Sequence, residues 1–223
     1  MFSHYFFLTL HASPLFLSSP KDKSSSSLPV SFFFDPQTHS IKFERRLSML
    51  VRWVPPSKGA IKLNVDGSSR GNAGRAGCGG LLRDQDGNCI AGFVSYIGFA
   101  GSVEAELIAI RHGLWLAWQS GYRKVECESD CMMALKIIQD NAEDFPEFAH
   151  IVEEIHRFML LEWDVTIYHI MREGNSCADF LAKIGSSSNS MFSLIISPQP
   201  ELTPLLVADS KGVLILEFSY TRI

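Results

Sequence analysis

Ala60-Ile61-Lys62-Leu63-Asn64-Val65-Asp66-Gly67-Ser68-Ser69 is the stretch on which the fold of this chain turns. Ile61, Leu63 and Val65 alternate with polar residues, the two-residue period of a strand with one face in a core. Trp53, Pro55, Pro56 and Gly59 lead into it, and Asp66-Gly67 closes it with a turn-forming pair. A Gly-rich stretch from Gly67 to Gly80 leads to a second strand, Gly80–Arg83. Asp86-Gly87-Asn88 then marks a tight turn, and Cys89–Ile97 returns as a third strand. Short connections between successive strands imply an antiparallel meander.

Helical periodicity follows. Ser102 is placed to cap a helix starting near Val103. Val103, Leu107, Ile110, Leu114 and Ala117 recur at three- and four-residue spacings on one face, and Gly121 stops the helix. Lys124–Ser129 reads as a fourth strand, and Asp130–Gln139 as a helix with Met133, Ala134, Ile137 and Ile138 inward. Phe148–Met159 reads as a further helix and Val165–Ile170 as a fifth strand. Asn175 or Ser176 caps a last helix that runs to about Ile184 and ends at Gly185. The order predicts an α/β fold: a mixed five-stranded sheet, three antiparallel strands then parallel additions, flanked by helices.

Of 223 residues, 46% are hydrophobic and 20% charged. That balance excludes a wholly disordered chain and an array of membrane spans. Residues 51–186 form the predicted domain and carry 13 basic and 18 acidic side chains, an excess of acid unlike a protein that merely coats nucleic acid. Residues 187–223 read as a linker and C-terminal tail, in which Leu205–Ala208 and Val213–Phe218 are short strand candidates. Residues 1–50 read as a poorly ordered extension or a targeting segment. Their apolar start lacks the basic residues of a secretory signal and is broken by His4, His11 and Pro14. Five cysteines without a C-x-x-C pair fit free thiols in a reducing compartment. The expected setting is intracellular, nucleus or cytoplasm, with an organelle if residues 1–50 are a transit peptide. No membrane partner is expected, and a monomer is.

Four acidic residues occupy special positions. Asp66 ends the first strand, Glu106 lies in the first helical turn, Asp130 follows the fourth strand and Asp179 lies in the last helix. Each has an ordinary role open to it: turn residue, first-turn carboxylate, N-cap or surface residue. Converging on one sheet edge, they would repel one another unless cations neutralised them. Hard oxygen ligands of this kind suit Mg²⁺ or Mn²⁺. Glu128 reads as an exposed strand residue, and Trp115 and Trp118 as packing residues.

The series Asp66-Gly67-Ser68, Gly71-Asn72, Gly77-x-Gly79-Gly80-Leu81-Leu82-Arg83-Asp84, Ala105-Glu106-Leu107, Glu128-Ser129-Asp130 and Arg172-Glu173-x-Asn175-x-x-Ala178-Asp179-x-Leu181-Ala182 resembles type 1 ribonuclease H domains. Its likeness is to the plant group derived from retroelements and associated with reverse transcriptases, whose Trp-x-Pro-Pro lead-in is matched by Trp53-Val54-Pro55-Pro56. The resemblance covers about Trp53 to Gly185. It implies a ribonuclease H-like fold and an endonuclease that hydrolyses the RNA strand of RNA–DNA hybrids. Asp66, Glu106, Asp130 and Asp179 would then be catalytic and would bind two divalent ions, Mg²⁺ or Mn²⁺. Gly67, Ser68, Ser69, Asn72 and Ser102 would contact the hybrid, with His169 or Arg172 auxiliary.

Departures from the family pattern support an alternative, a catalytically silent module that binds nucleic acid or protein. Ser102 and Val103 replace an Asn pair, and Met132 replaces a Gln. The basic protrusion of some members gives way to a helix with Glu153, Glu154 and Arg157. Fewer phosphate contacts imply weak, salt-sensitive binding.

Overall fold

The computed structural model describes the backbone of residues 30–35, 40–71, 73–140 and 144–222, and the side chains of residues 50–71, 73–140 and 144–215. It divides into a unit of Leu47–Ser219 and a smaller one made by described residues outside those limits. In the smaller unit β1 (Val30–Asp35) pairs antiparallel with β2 (Ser40–Val51). The expectation for residues 1–29 lies outside the described residues.

The larger unit opens with β3 (Ile61–Arg70), β4 (Gly74–Arg83) and β5 (Cys89–Ala100). Helix α1 (Ser102–Gln119), β6 (Lys124–Ser129), α2 (Met132–Gln139), α3 (Ala149–Met159) and β7 (Asp164–His169) follow. A 3₁₀ turn at Arg172–Asn175 leads into α4 (Ser176–Ser187), β8 (Ser193–Ile195) and α5 (Thr203–Ser210). A last strand, β9 (Ile215–Arg222), joins β1 and β2 in a three-stranded sheet. The main sheet runs β7-β6-β3-β4-β5-β8, with β3, β4 and β5 antiparallel and β6 and β7 added parallel. The topology is the expected one with six strands in place of five. Ser193–Ile195 adds the extra edge, pairing with Gly92–Val94. Leu205–Ala208, expected as a strand, lies in α5, where Pro204 in the first turn has no amide to lose.

The second strand begins at Gly74, six residues before the expected start at Gly80. Glycine normally weakens a strand, but here its missing Cβ lets a helix sit directly on the sheet. A Cβ on Gly77 would overlap the backbone of Gly185 and Ser186, and one on Gly79 would overlap Leu181 and Ala182. Helix α4 therefore lies on a bed of bare backbone, and Gly185 is part of that contact, two residues inside the helix it was expected to end.

The other sheet face carries the apolar core. Leu63 and Val65 pack with Leu107, Ile110, Leu114 and Ala117 of α1 and with Val152 and Ile155 of α3. Removing one such side chain to Ala costs about 2–5 kcal/mol. Met133, expected inward, is exposed. Among the described residues no helix is long and apolar enough to cross a membrane, and all five cysteines are free.

Candidate active site

Alternation along β3 puts Leu63 and Val65 into the α1 core and turns Lys62, Asn64 and Asp66 to the opposite face. That face is also buried: all three residues are at most 6% exposed. The parallel register sets Lys62 against Glu126 and Asn64 against Glu128. By the same period β6 presents Glu126, Glu128 and, one residue past its end, Asp130. Two matched polar ladders thus run side by side and end in Asp66 and Asp130.

Glu106 joins them from α1. Gly67 allows the approach, since a Cβ there would overlap the Glu106 amide nitrogen. One carboxylate oxygen each from Asp66, Glu106 and Asp130 lie within 4.8 Å of one another. Asp66 and Glu106 are nearly enclosed, and the Ser129 hydroxyl lies 3.4 Å from Glu106 Oε2. Burial, then repulsion from Glu106, Asp130 and Asp179, pushes Asp66 up to about 9. Burial and Asp130 push Glu106 up to about 8, against the opposing pull of the Gly67 amide and Ser129. Without a cation the cluster therefore retains protons at neutral pH. Hard, negatively charged oxygens packed this closely fit Mg²⁺ or Mn²⁺.

Asp179 stands apart from that trio. It raises the proton affinity of both Asp66 and Glu106, so it is electrostatically near. Its oxygens, however, meet cations of the chain: Lys183 Nζ at 2.5 Å and an Arg172 nitrogen at 3.7 Å. Three of the four expected carboxylates come together, and the fourth flanks them under a salt bridge. Arg172 is thus a second, more distant cationic partner of Asp179 beside Lys183.

The remaining expected residues are distributed around this cluster. Gly67 and Ser68 follow Asp66 on β3, half-buried. The Ser69 hydroxyl lies 2.8 Å from the Gly71 carbonyl and 2.7 Å from that of Ala100, which fixes the end of the strand. Asn72 lies outside the described residues. Ser102 is exposed at the first position of α1, while Gly101 holds the cap position without a side-chain bond. His169 ends β7, exposed, with Nε2 3.3 Å from the Asp130 carbonyl. Asn175 does not cap α4 with its side chain.

Glu128 requires a correction, because it is buried. It accepts from Lys62 Nζ at 2.6 Å and from Asn64 Nδ2 at 2.8 Å. Asn64, Arg83 and Asn175, which had no place in the expected site, are fully or almost fully buried. The signal for Asn64 was its place in the ladder, two residues before Asp66. A cavity of about 620 Å³, whose lining includes Arg111, His112, Trp115, Glu154, Phe158 and Phe192, contains none of the four candidate carboxylates. Trp115 packs edge-on to Phe192 there, and Trp118 edge-on to Trp163.

The profile of the family described as reverse transcriptase-like matches residues 64–185. An Arabidopsis thaliana protein that bears a provisional ribonuclease H name is 34% identical over 167 residues, 75% of this chain and 27% of that protein. The chain thus spans about a quarter of that relative's length. Ribonuclease H1 of the archaeon Halobacterium salinarum NRC-1 is 28% identical, with a TM-score of 0.50 over 57% of this chain and 98% of its own. The N-terminal ribonuclease H domain of a Mycobacterium tuberculosis protein, at 22% identity, shares the fold with a TM-score of 0.53 over 57% of this chain and 94% of that one.

Proposed function

The chain belongs to the reverse transcriptase-like family and carries a ribonuclease H-like domain, and from that premise we propose that it is a metal-dependent endonuclease hydrolysing the RNA strand of RNA–DNA hybrids. The observation that carries the reading is the convergence of Asp66, Glu106 and Asp130 within 4.8 Å at the end of the central strands. These carboxylates would hold the divalent ions, with Asp179 completing the set once Lys183 and Arg172 release it. Bound divalent ions would supply Lewis acidity to the scissile phosphodiester and its attacking water, and would offset the charge on the leaving 3′ oxygen.

The chain's own groups supply the rest. Ser129 holds the Glu106 carboxylate, and the backbone from Gly67 to Ser69 is available to the sugar edge of the RNA strand, where a 2′-hydroxyl distinguishes RNA from DNA. Ser68 and Ser102 would border that approach. The test is cleavage by the full chain of a hybrid with labelled RNA, in Mg²⁺, in Mn²⁺ and in chelator, beside single-stranded RNA and duplex DNA. Cleavage confined to the hybrid, dependent on metal and lost in Asp66→Asn is the expected result. No cleavage in either metal, or equal cleavage by the variant, refutes it.

The second reading, a binding module without turnover, is favoured by the salt bridges that engage Asp179. Retention of intact hybrid in both metals would select it.

A further inference from the structure

The polar ladder beside the carboxylates continues well past them. Asn175 Nδ2 donates to the Val65 carbonyl at 2.9 Å and lies 3.4 Å from Asp130 Oδ1. It therefore touches both the backbone that carries Asp66 and the carboxylate of Asp130. Asn64 Nδ2 lies 3.4 Å from Asn175 Oδ1 and donates to Glu128 at 2.8 Å. Asn64 Oδ1 in turn accepts from Arg83 Nη2 at 2.7 Å and from Trp53 Nε1 at 3.1 Å. Arg83 stacks on the Trp53 ring, 3.8 Å from its centroid, and its Nη1 meets Asp209 Oδ2 at 2.6 Å. Asp209 belongs to α5, far along the chain from every carboxylate of the site.

An amide buried between two carbonyls can turn over and exchange its oxygen and nitrogen. Here each neighbour fixes one orientation. Arg83 and Trp53 only donate to Asn64, so its oxygen must face them and its amide must face Glu128. The amide of Asn64 then faces the oxygen of Asn175, so the amide of Asn175 must face Val65 and Asp130. The orientation is thus set in series from the Arg83–Asp209 pair to the metal-binding edge, through side chains that water does not reach.

We propose that Asn64 and Asn175 are positioning residues for the carboxylate cluster, and that α5 anchors them through the Asp209–Arg83 ion pair. The proposal rests on the metal-binding reading of the cluster but not on hybrid cleavage. A purely structural role would predict stability losses without a selective effect on metal affinity. Groups that hydrogen bond a metal ligand typically change metal affinity or activity by about 10- to 100-fold when removed.

The experiment is calorimetric titration of the ion-free full chain with MnCl₂ alone, for wild type, Asn175→Ala, Asp209→Ala and Asp209→Glu. Circular dichroism and thermal melts report folding. The double variant Arg83→Met/Asp209→Leu fills the same space without charge and keeps the test open if Asp209→Ala does not fold. The expected result is folded Asn175→Ala with Mn²⁺ affinity weakened about tenfold. Asp209→Ala or the apolar double variant should move the same way, and Asp209→Glu should recover most of the loss. If hybrid is cleaved, kcat should fall with KM for the hybrid unchanged. Equal Mn²⁺ affinity across folded variants, or no Mn²⁺ binding by wild type, overturns the proposal. Absence of hybrid cleavage alone overturns only the proposed function.

Discussion

Adding a divalent cation to the ion-free protein should expel protons from it. Asp66 and Glu106 are held at about 9 and about 8 by burial first and by neighbouring carboxylates second. Near neutral pH the pair therefore retains up to two protons, which the same groups in an unfolded chain, with pKa values near about 4, have already lost. Because the folded state binds more protons, the contribution of this pair to ion-free stability is fully present below about pH 4 and is lost as pH rises through the folded values. A cation replaces those protons, so its affinity should tighten by up to about 100-fold per pH unit below the folded values. At an ion concentration of about 100 times Kd the stabilisation is about 2.7 kcal/mol. For a domain of this size that raises Tm by about 5–11 °C. The assay is calorimetry in two buffers of different ionisation enthalpy, which counts protons released per Mn²⁺, joined to melts at about pH 6 and about pH 8. Release approaching two protons and a larger Mn²⁺-induced Tm shift at the higher pH are expected, both abolished in Asp66→Asn/Glu106→Gln. Proton release near zero, or a shift independent of pH, would show that the carboxylates are already ionised and that the argument from burial is wrong.

Three further outcomes follow from the geometry. Asp209→Ala leaves Arg83 charged in a dry interior and should lower unfolding free energy by about 3–5 kcal/mol in a denaturant titration. Gly77→Val forces a side chain into the α4 backbone contact; it should destabilise by about 1–3 kcal/mol or more and weaken Mn²⁺ binding together. Lys183→Ala removes an exposed i,i+4 partner of Asp179. Its stability should stay within about 0.5 kcal/mol of wild type, while Mn²⁺ affinity rises severalfold in calorimetry because a tethered competitor is gone.

Much of the fold could be read from periodicity. Lys124–Ser129 is a strand to the residue, and the stripe from Leu107 to Ala117 lines the core as expected. The errors share a physical origin. Gly74–Gly80 looked like a loop because glycine disfavours strands in isolation, and only the helix packed against it supplies the compensating contact. Glu128 looked exposed because a carboxylate is normally solvated, and its partners Lys62 and Asn64 lie more than sixty residues away. The three clustered carboxylates were legible from their positions at strand and helix ends. The Lys183–Asp179 salt bridge lay in local i,i+4 spacing but was passed over because the resemblance implied a metal-binding role for Asp179. The burial of Asn64, Arg83 and Asn175 left no local signal. What marked Asn64 was the matched alternation of Lys62, Asn64, Asp66 with Glu126, Glu128, Asp130, visible only once the two strands are known to be parallel neighbours.

The glycine bed under α4 has a consequence for how this site can change over evolutionary time. Where helix and strand meet through side chains, substitutions accumulate as small shifts, because each new side chain sets a new spacing. Between β4 and α4 the spacing at Gly77, Gly79 and Gly185 is set by main chain against main chain. Neighbouring side chains can be exchanged without altering it. The distance from Asp179 to the other carboxylates is thus buffered against sequence drift, and packing holds these glycines in place whether or not the acids are kept.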